Sequence, residues 1–296
     1  MSVWIGDLGG MVETPCLSGL SVTTDDRSVH GGGAGTLTGP FTVAWGGGRR
    51  SWSCTIGVKS PSGLAALETL AYRQHVYGVA GYRMLACDAH NTNAFTPRAS
   101  LDFTGWGGNF SVSTVYTAAL EQAGGGTILY PDTPLEARTP IEGGPPVTQV
   151  ESVAAITVTA ASSATLTSPI VPVRPGHPVT LGIFGQGSVL LRARWVDAAG
   201  NDGALATVTP SVTHAGLQRV AGSAIAPANA AGVRLVVSGG IRYAWPSITW
   251  TAGPRRFATG RGAESVHLSP VDESVIMATR EQQLSGFQYT IREVAA

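Results

Sequence analysis

The sequence predicts a mainly β protein made of two domains, one inserted into the other, and three observations carry that reading. Between residues 165 and 250, short apolar runs alternate with Gly, Pro, Asn and Asp turns and close on Tyr243-Ala-Trp-Pro-Ser-Ile-Thr-Trp250, the pattern of an antiparallel sandwich. Upstream, one stretch carries helical spacing among strand-like segments. Beyond residue 254, the remaining strand-like pieces are too short to hide an apolar face alone, so they must return to an earlier sheet.

The elements follow in order. Residues 3–5 read as a short strand, and 17–24 alternate apolar with polar side chains as a half-buried strand does. After the glycines of 31–35, segments 40–45 and 49–58 read as a β-hairpin around Gly46-Gly-Gly48. Ser60-Pro61 supplies an N-cap and a first-turn proline ahead of Leu64, Leu67, Leu70 and Ala71, whose spacings of three and four predict a helix over 61–77. Strands are expected at 81–87, 101–103, 110–119 and 127–130.

Five prolines and Gly143-Gly144 then fill 131–146, which reads as a semi-rigid connector. A second boundary falls at Gly253-Pro254. The tail offers strands at 265–268, 273–277 and 286–294, the last with Phe287, Tyr289 and Ile291 on one face and Gln288, Thr290 and Arg292 on the other. The expected organisation is a split host domain of 1–147 and 254–296, a sandwich or barrel-like α+β unit with one helix, carrying an insertion at 148–253.

Composition bounds the function. The 296 residues suffice for two ordinary cores. Charged side chains make up 13%, against about 25% in an average soluble domain. Few charges and many glycines suit tightly turned β structure, and a subunit that covers its strand edges with copies of itself. With 19 basic and 19 acidic side chains the net charge is zero, so no global field gathers nucleic acid. No apolar run approaches the roughly 18–20 residues of a membrane helix. The first residues lack the basic start and apolar core of a secretion signal, so synthesis and retention in a cytoplasm are expected. Cys16, Cys54 and Cys87 form no CxxC pair and read as buried thiols.

At this point the residues carry a resemblance. Val171-Pro-Val-Arg-Pro-Gly-His-Pro-Val-Thr-Leu181, Val189-Leu-Leu-Arg-Ala-Arg-Trp-Val-Asp-Ala-Ala-Gly200, Ala226-Pro-Ala-Asn-Ala-Ala-Gly-Val-Arg-Leu-Val-Val237 and Trp245-Pro-Ser-Ile-Thr-Trp250 resemble successive strands of carbohydrate-binding-module jelly rolls. The surrounding architecture, from the Pro61-Ser-Gly-Leu helix to the C-terminal Tyr289-Thr-Ile-Arg-Glu-Val294, resembles the distal or minor tail proteins of non-contractile phages infecting actinobacteria. That resemblance implies a virion tail-tip location and a homo-oligomeric ring of six. It implies contacts with tail-tube, tail-tip and tape-measure proteins, and an outward module facing host cell-wall polysaccharide.

Carbohydrate-binding modules stack exposed aromatic rings on sugars and bond the hydroxyls with nearby polar groups. The aromatic candidates are Trp195, Tyr243 and Trp245, with Arg192, Arg194 and Arg242 as polar partners. Alternation puts Trp195 with Leu191 and Ala193 on one strand face and the arginines on the other, so core burial is its competing role. Tyr243 and Trp245 have the same two readings. Asp197-Ala-Ala-Gly-Asn-Asp202 has the oxygen side chains of a calcium loop without the regular spacing, and reads more simply as a hairpin turn. No resident cofactor is expected, although jelly rolls of this kind leave room for a structural calcium ion. The six histidines show no metal spacing, there is no nucleophile elbow or phosphate loop, and no carboxylate pair suits glycosidase chemistry. An enzyme is not expected.

Overall fold

The computed structural model describes residues 2–15, 20–24, 28–31, 41–44, 50–56, 61–77, 81–85, 92–117, 153–161, 163–252, 260–269, 272–278 and 283–294. Along the chain the elements are β1 (Ser2–Asp7), β2 (Gly10–Pro15), β3 (Leu20–Thr24), β4 (Ser28–Gly31), β5 (Phe41–Ala44), β6 (Arg50–Ile56), α1 (Pro61–Tyr77) and β7 (Tyr82–Leu85). Then come α2 (Pro97–Leu101), β8 (Phe110–Thr117), β9 (Val153–Ala160), β10 (Thr165–Thr167), β11 (Val171–Pro172), β12 (Pro178–Val196), β13 (Asp202–Thr207), β14 (Val212–Ile225) and β15 (Gly232–Thr249). The chain ends with β16 (Ala263–Leu268), β17 (Asp272–Ala278) and β18 (Gln283–Glu293). The fold is mainly β with antiparallel sheets. It divides into two compact units, Met1–Gly6 with Val12–Met84 and Ala263–Ala296, and Asp7–Met11 with Leu85–Gly262.

The first unit is a sheet in the order β2-β1-β7-β16-β18-β6-β3, with β17 added beside β18. The last strand of the chain is thus an interior strand. Its residues pair with β16 from Val266↔Glu293 to Leu268↔Ile291, and with β6 from Phe287↔Ile56 to Arg292↔Ser51. Tyr289 and Ile291 are buried while Gln288 and Arg292 face solvent, as period-two alternation requires. A bidentate clasp closes the strand end: Arg50 Nη2 and Nε donate to Glu293 Oε1 and Oε2 at 2.7 and 3.0 Å, and the guanidinium lies 4.9 Å over Trp52.

Helix α1 spans the predicted residues and buries Leu67, Leu70, Ala71 and Gln74 on one stripe. Gln74 is polar and only 5% exposed, and it is satisfied by β16. Its Nε2 donates to the Val266 carbonyl at 3.0 Å, and its Oε1 accepts from the Leu268 N–H at 2.7 Å.

The second unit is a sheet in the order β13-β12-β15-β9-β8, with β14 also on β12 and β10 and β11 also on β15. The long strands β12 and β15 pair from Thr180↔Thr249 to Val196↔Gly232, bending through register shifts near Phe184, Gly187 and Leu190. Gly239 permits one of these bends. Its φ is +83°, and a Cβ there would collide with the Ser188 carbonyl oxygen. Leu181, Ile183, Val189, Leu191, Ala193, Val233, Leu235, Val237 and Ile248 form a fully buried core.

A second small cluster sits around α2, where Trp106 packs 5.0 Å from Phe103 and 5.8 Å from Phe95 and donates its indole N–H to the Ala99 carbonyl. Asn93, 1% exposed, joins this segment to β15. Its Nδ2 donates to the Pro246 carbonyl, and its Oδ1 accepts from the Ile248 and Phe95 N–H groups.

The structure departs from the sequence expectations in three places. The 40–45/49–58 hairpin does not form: β5 pairs with β4, and β6 is held between β3 and β18. Two long-range neighbours bury Trp52 and Cys54 of β6, which a local turn would leave half exposed. Residues 101–103 are not a strand. Thr96 caps α2 by accepting from the Ala99 N–H, Pro97 occupies the first turn, and Phe103 turns the chain with φ 60°.

The segment expected at 110–119 forms β8, but it pairs along its whole length with β9. β8 therefore falls with β9 in the second unit, because alternation announces a strand without naming its partner. The expectations for 127–130 and 131–146, and those for Cys16 and Cys87, lie outside the described residues.

Replacing Gln74 with alanine leaves the Val266 carbonyl and Leu268 N–H facing an apolar helix stripe, and should cost about 2–4 kcal/mol of stability. Urea unfolding of the full chain checks this, and a loss below about 0.5 kcal/mol would show that the helix is not anchored there.

Candidate functional site

The second half of β12 divides its side chains by alternation. Leu191, Ala193 and Trp195 point into the core at 0, 0 and 5% exposure, and Arg192 and Arg194 point out. Antiparallel register then decides what surrounds the arginines. Arg194 lies opposite Arg234 of β15 and Leu205 of β13, while Arg192 lies opposite Val236 and Thr207. Direct cross-strand partners share a face, so three arginines collect on the outer side of one sheet.

A single carboxylate ties two of them. Asp202, at the start of β13, sits 3.1 Å from Arg234 Nε and 3.5 Å from Arg194 Nη1. Arg234 Nη1 also donates to the Ser168 carbonyl at 3.0 Å. Arg194 Nε is shielded from water and has no hydrogen-bond partner among the described residues, and Arg192 is held by no ion pair or hydrogen bond among them. The side chains of Arg194, Arg234 and Asp202 are 36, 27 and 41% exposed, so the face is open to a ligand. Guanidinium forks with Thr207 nearby suit hydroxyl pairs and oxyanions. Arg234 is not among the sequence candidates, and Asp202 appears there only as an oxygen of the 197–202 turn. The alternation Val233-Arg234-Leu235 is legible, but its register against Arg194 is not.

The other candidates fall elsewhere. Arg242 is half-buried opposite Gln186 and Thr159, beyond the glycine bends of β15. The three aromatic candidates are corrected as platforms, because stacking on sugar needs an open ring face and all three are buried. Trp195 is 5% exposed, Trp245 2% and Tyr243 0%.

The bulge explains Trp245, which takes φ 49° before Pro246 and meets Phe184 edge-on at 5.5 Å. The Tyr243 oxygen accepts from the Gly240 N–H at 2.7 Å. Among the rings of this unit whose burial is described, all but the half-buried Phe110 are buried. Arg219, across from Phe184, is desolvated over that ring at 5.5 Å and donates to Ser247 Oγ at 2.8 Å. Burial pushes it down to about 10, which leaves it charged at neutral pH.

The 197–202 segment is a turn between β12 and β13. Asp197 Oδ1 accepts from the Ala199 and Asn201 N–H groups and Oδ2 from Asn201 Nδ2, contacts that hold its carboxyl below the ordinary value. Asp202 faces the arginines instead. Among the described residues no three His, Cys, Asp or Glu side chains gather as a metal site.

No family model and no curated protein matches the sequence. Among solved structures, the enzymatically active domain of bacteriophage CBA120 tailspike protein 4 is similar over 53% of this chain, at 14% identity and TM-score 0.34. This chain spans 21% of that domain. The family 22 xylan-binding module of Paenibacillus barcinonensis Xyn10C aligns with 57% of this chain and all of its own, at 10% identity and TM-score 0.33. TmCBM61, solved with β-1,4-galactotriose, aligns over 54% of this chain and 99% of its own, at 13% and 0.30. At these scores the likeness does not extend to function.

Burial pushes the Tyr243 phenol up to about 12, although the Gly240 N–H pulls it down. The neutral phenol therefore supports the fold fully below its ordinary value near 10, and that support is lost as pH rises through about 12. Melting temperatures between pH 8 and 12.5 should fall more steeply for the wild type than for Tyr243→Phe. Parallel curves would contradict a buried phenol.

Proposed function

We propose that the protein is a non-catalytic adhesion protein whose second unit contacts a cell-surface polysaccharide through the outer face of β12, β13 and β15. The observation that carries this reading is the gathering of Arg192, Arg194 and Arg234 around one carboxylate on an open sheet face. With Trp195, Tyr243 and Trp245 buried, recognition rests on hydrogen bonds and charge in place of stacking. Such contacts are individually weak, and repetition over several copies would supply the avidity a surface adhesin needs.

The second reading is a structural role in a phage tail tip, as a distal or minor tail protein forming a ring, with tail-tube and tape-measure neighbours and a virion location. The split first unit supports it. Strands from both ends of the chain complete one sheet, which lets a second unit be carried without interrupting the assembling one.

Affinity electrophoresis of the full chain against a panel of cell-wall polysaccharides tests the first reading. Retardation by at least one polymer is expected, and a folded protein retarded by none would contradict it. Light scattering after size exclusion tests the second reading, with a closed oligomer, six copies in the simplest ring, as the expected result. A stable monomer at micromolar concentration would contradict it.

A further inference from the structure

We propose that the outer face of the second unit is an oxyanion site, where Arg192, Arg194 and Arg234 take the carboxylate or phosphate groups of an anionic polysaccharide. This rests on the reading that the unit binds glycan and adds the charge class of that glycan. Three guanidiniums and one carboxylate leave this face with 3 − 1 = 2 positive charges, in a chain whose net charge is zero. The excess is local and built in.

Arg194 and Arg234 are direct cross-strand partners, an arrangement of like charges that opposes pairing unless an anion lies between them. Asp202 meets this need incompletely. It bonds Arg234 Nε at 3.1 Å but reaches Arg194 Nη1 only at 3.5 Å, too long for a good hydrogen bond. Arg194 Nε has no partner among the described residues, and Arg192, two residues along on the same face, shares none of the carboxylate.

Asp202 thus holds two guanidiniums in register while leaving the exposed part of the Arg194 side chain and all of Arg192 to meet a second anion. A neutral hydroxyl would fill hydrogen bonds but leave both charges uncompensated, whereas an oxyanion answers both. Charge-assisted forks are the stronger and more directional contact. Repeated anions along a polymer would also be followed by the arginines spaced along the strand.

The test uses the full chain in affinity electrophoresis at low and moderate salt against two pairs of polymers. These are polygalacturonate with its fully methyl-esterified form, and dextran phosphate with plain dextran. Binding to an anionic member and not to its neutral partner is expected, weakening with salt. Retention by polygalacturonate alone assigns a carboxylate, by dextran phosphate alone a phosphate, and by both a general oxyanion site.

Arg194→Gln should weaken that binding by about tenfold or more. Arg192→Gln, which breaks no ion pair, should weaken it as well and serves if Arg194→Gln fails to fold. Equal binding to charged and neutral partners would overturn the charge assignment and leave glycan binding standing. Anion binding unchanged in both variants would overturn the site. Binding to none of the four polymers, if the cell-wall panel is also negative, would overturn both readings.

Discussion

The antiparallel pairing of β12 with β15 is the constraint on which the second unit depends. The two strands stay paired from Thr180↔Thr249 to Val196↔Gly232, and every other strand of that sheet except β8 attaches to one of them. Because side chains alternate with a period of two, this single register fixes two opposite surfaces at once. Trp195, Leu191 and Leu235 go inward, and Arg192, Arg194 and Arg234 go outward. A slip of β12 by one residue would turn Arg192 and Arg194 into the core, a penalty far larger than any local turn preference. The arginine face is therefore a consequence of the core, positioned by the same hydrogen bonds.

Bending is what those strands need in order to enclose a core. Each register shift inserts an unpaired residue, and each has a physical device behind it, including Gly239 at φ +83° and Trp245 at φ 49°. Placing a tryptophan in the left-handed region costs roughly 1–2 kcal/mol. Its burial against Phe184, with Asn93 satisfying the neighbouring Pro246 and Ile248 backbone, offsets that. In the first unit the corresponding constraint is long-range: β18 lies between β6 and β16, and Arg50 meets Glu293 across 243 residues of sequence.

Signals that are local were legible in the sequence. The Ser60-Pro61 start with leucines three apart locates α1, and the alternation through 286–294 and 189–196 assigns faces that burial reproduces at Tyr289, Ile291, Leu191, Ala193 and Trp195. The signals that failed are relational. Nothing in residues 110–117 says that their partner is β9, and nothing in 50–56 says that β18 will displace a hairpin neighbour. Helix α2 begins with Thr96-Pro97, a hydroxyl residue followed by proline like the Ser60-Pro61 ahead of α1, but five residues are too few for a period to show. Half of the arginine face was visible as Arg192 and Arg194, whereas Arg234 and Asp202 required register. Trp195 takes the core role that its alternation with Leu191 and Ala193 offers, whereas the bulge at Trp245 cannot be read from alternation, and an aromatic on a β-strand serves a core as readily as a ligand.

The central claim is that the β12–β15 pairing holds the core and so sets the arginine face. Native-state hydrogen exchange of the full chain tests it most directly. The account predicts that the amides of Ala193 and Leu235 exchange only through global unfolding of the second unit, far more slowly than Gly203 and Ala204 of the exposed strand β13. Exchange of Ala193 and Leu235 at the rate of β13, through local opening under native conditions, would contradict it.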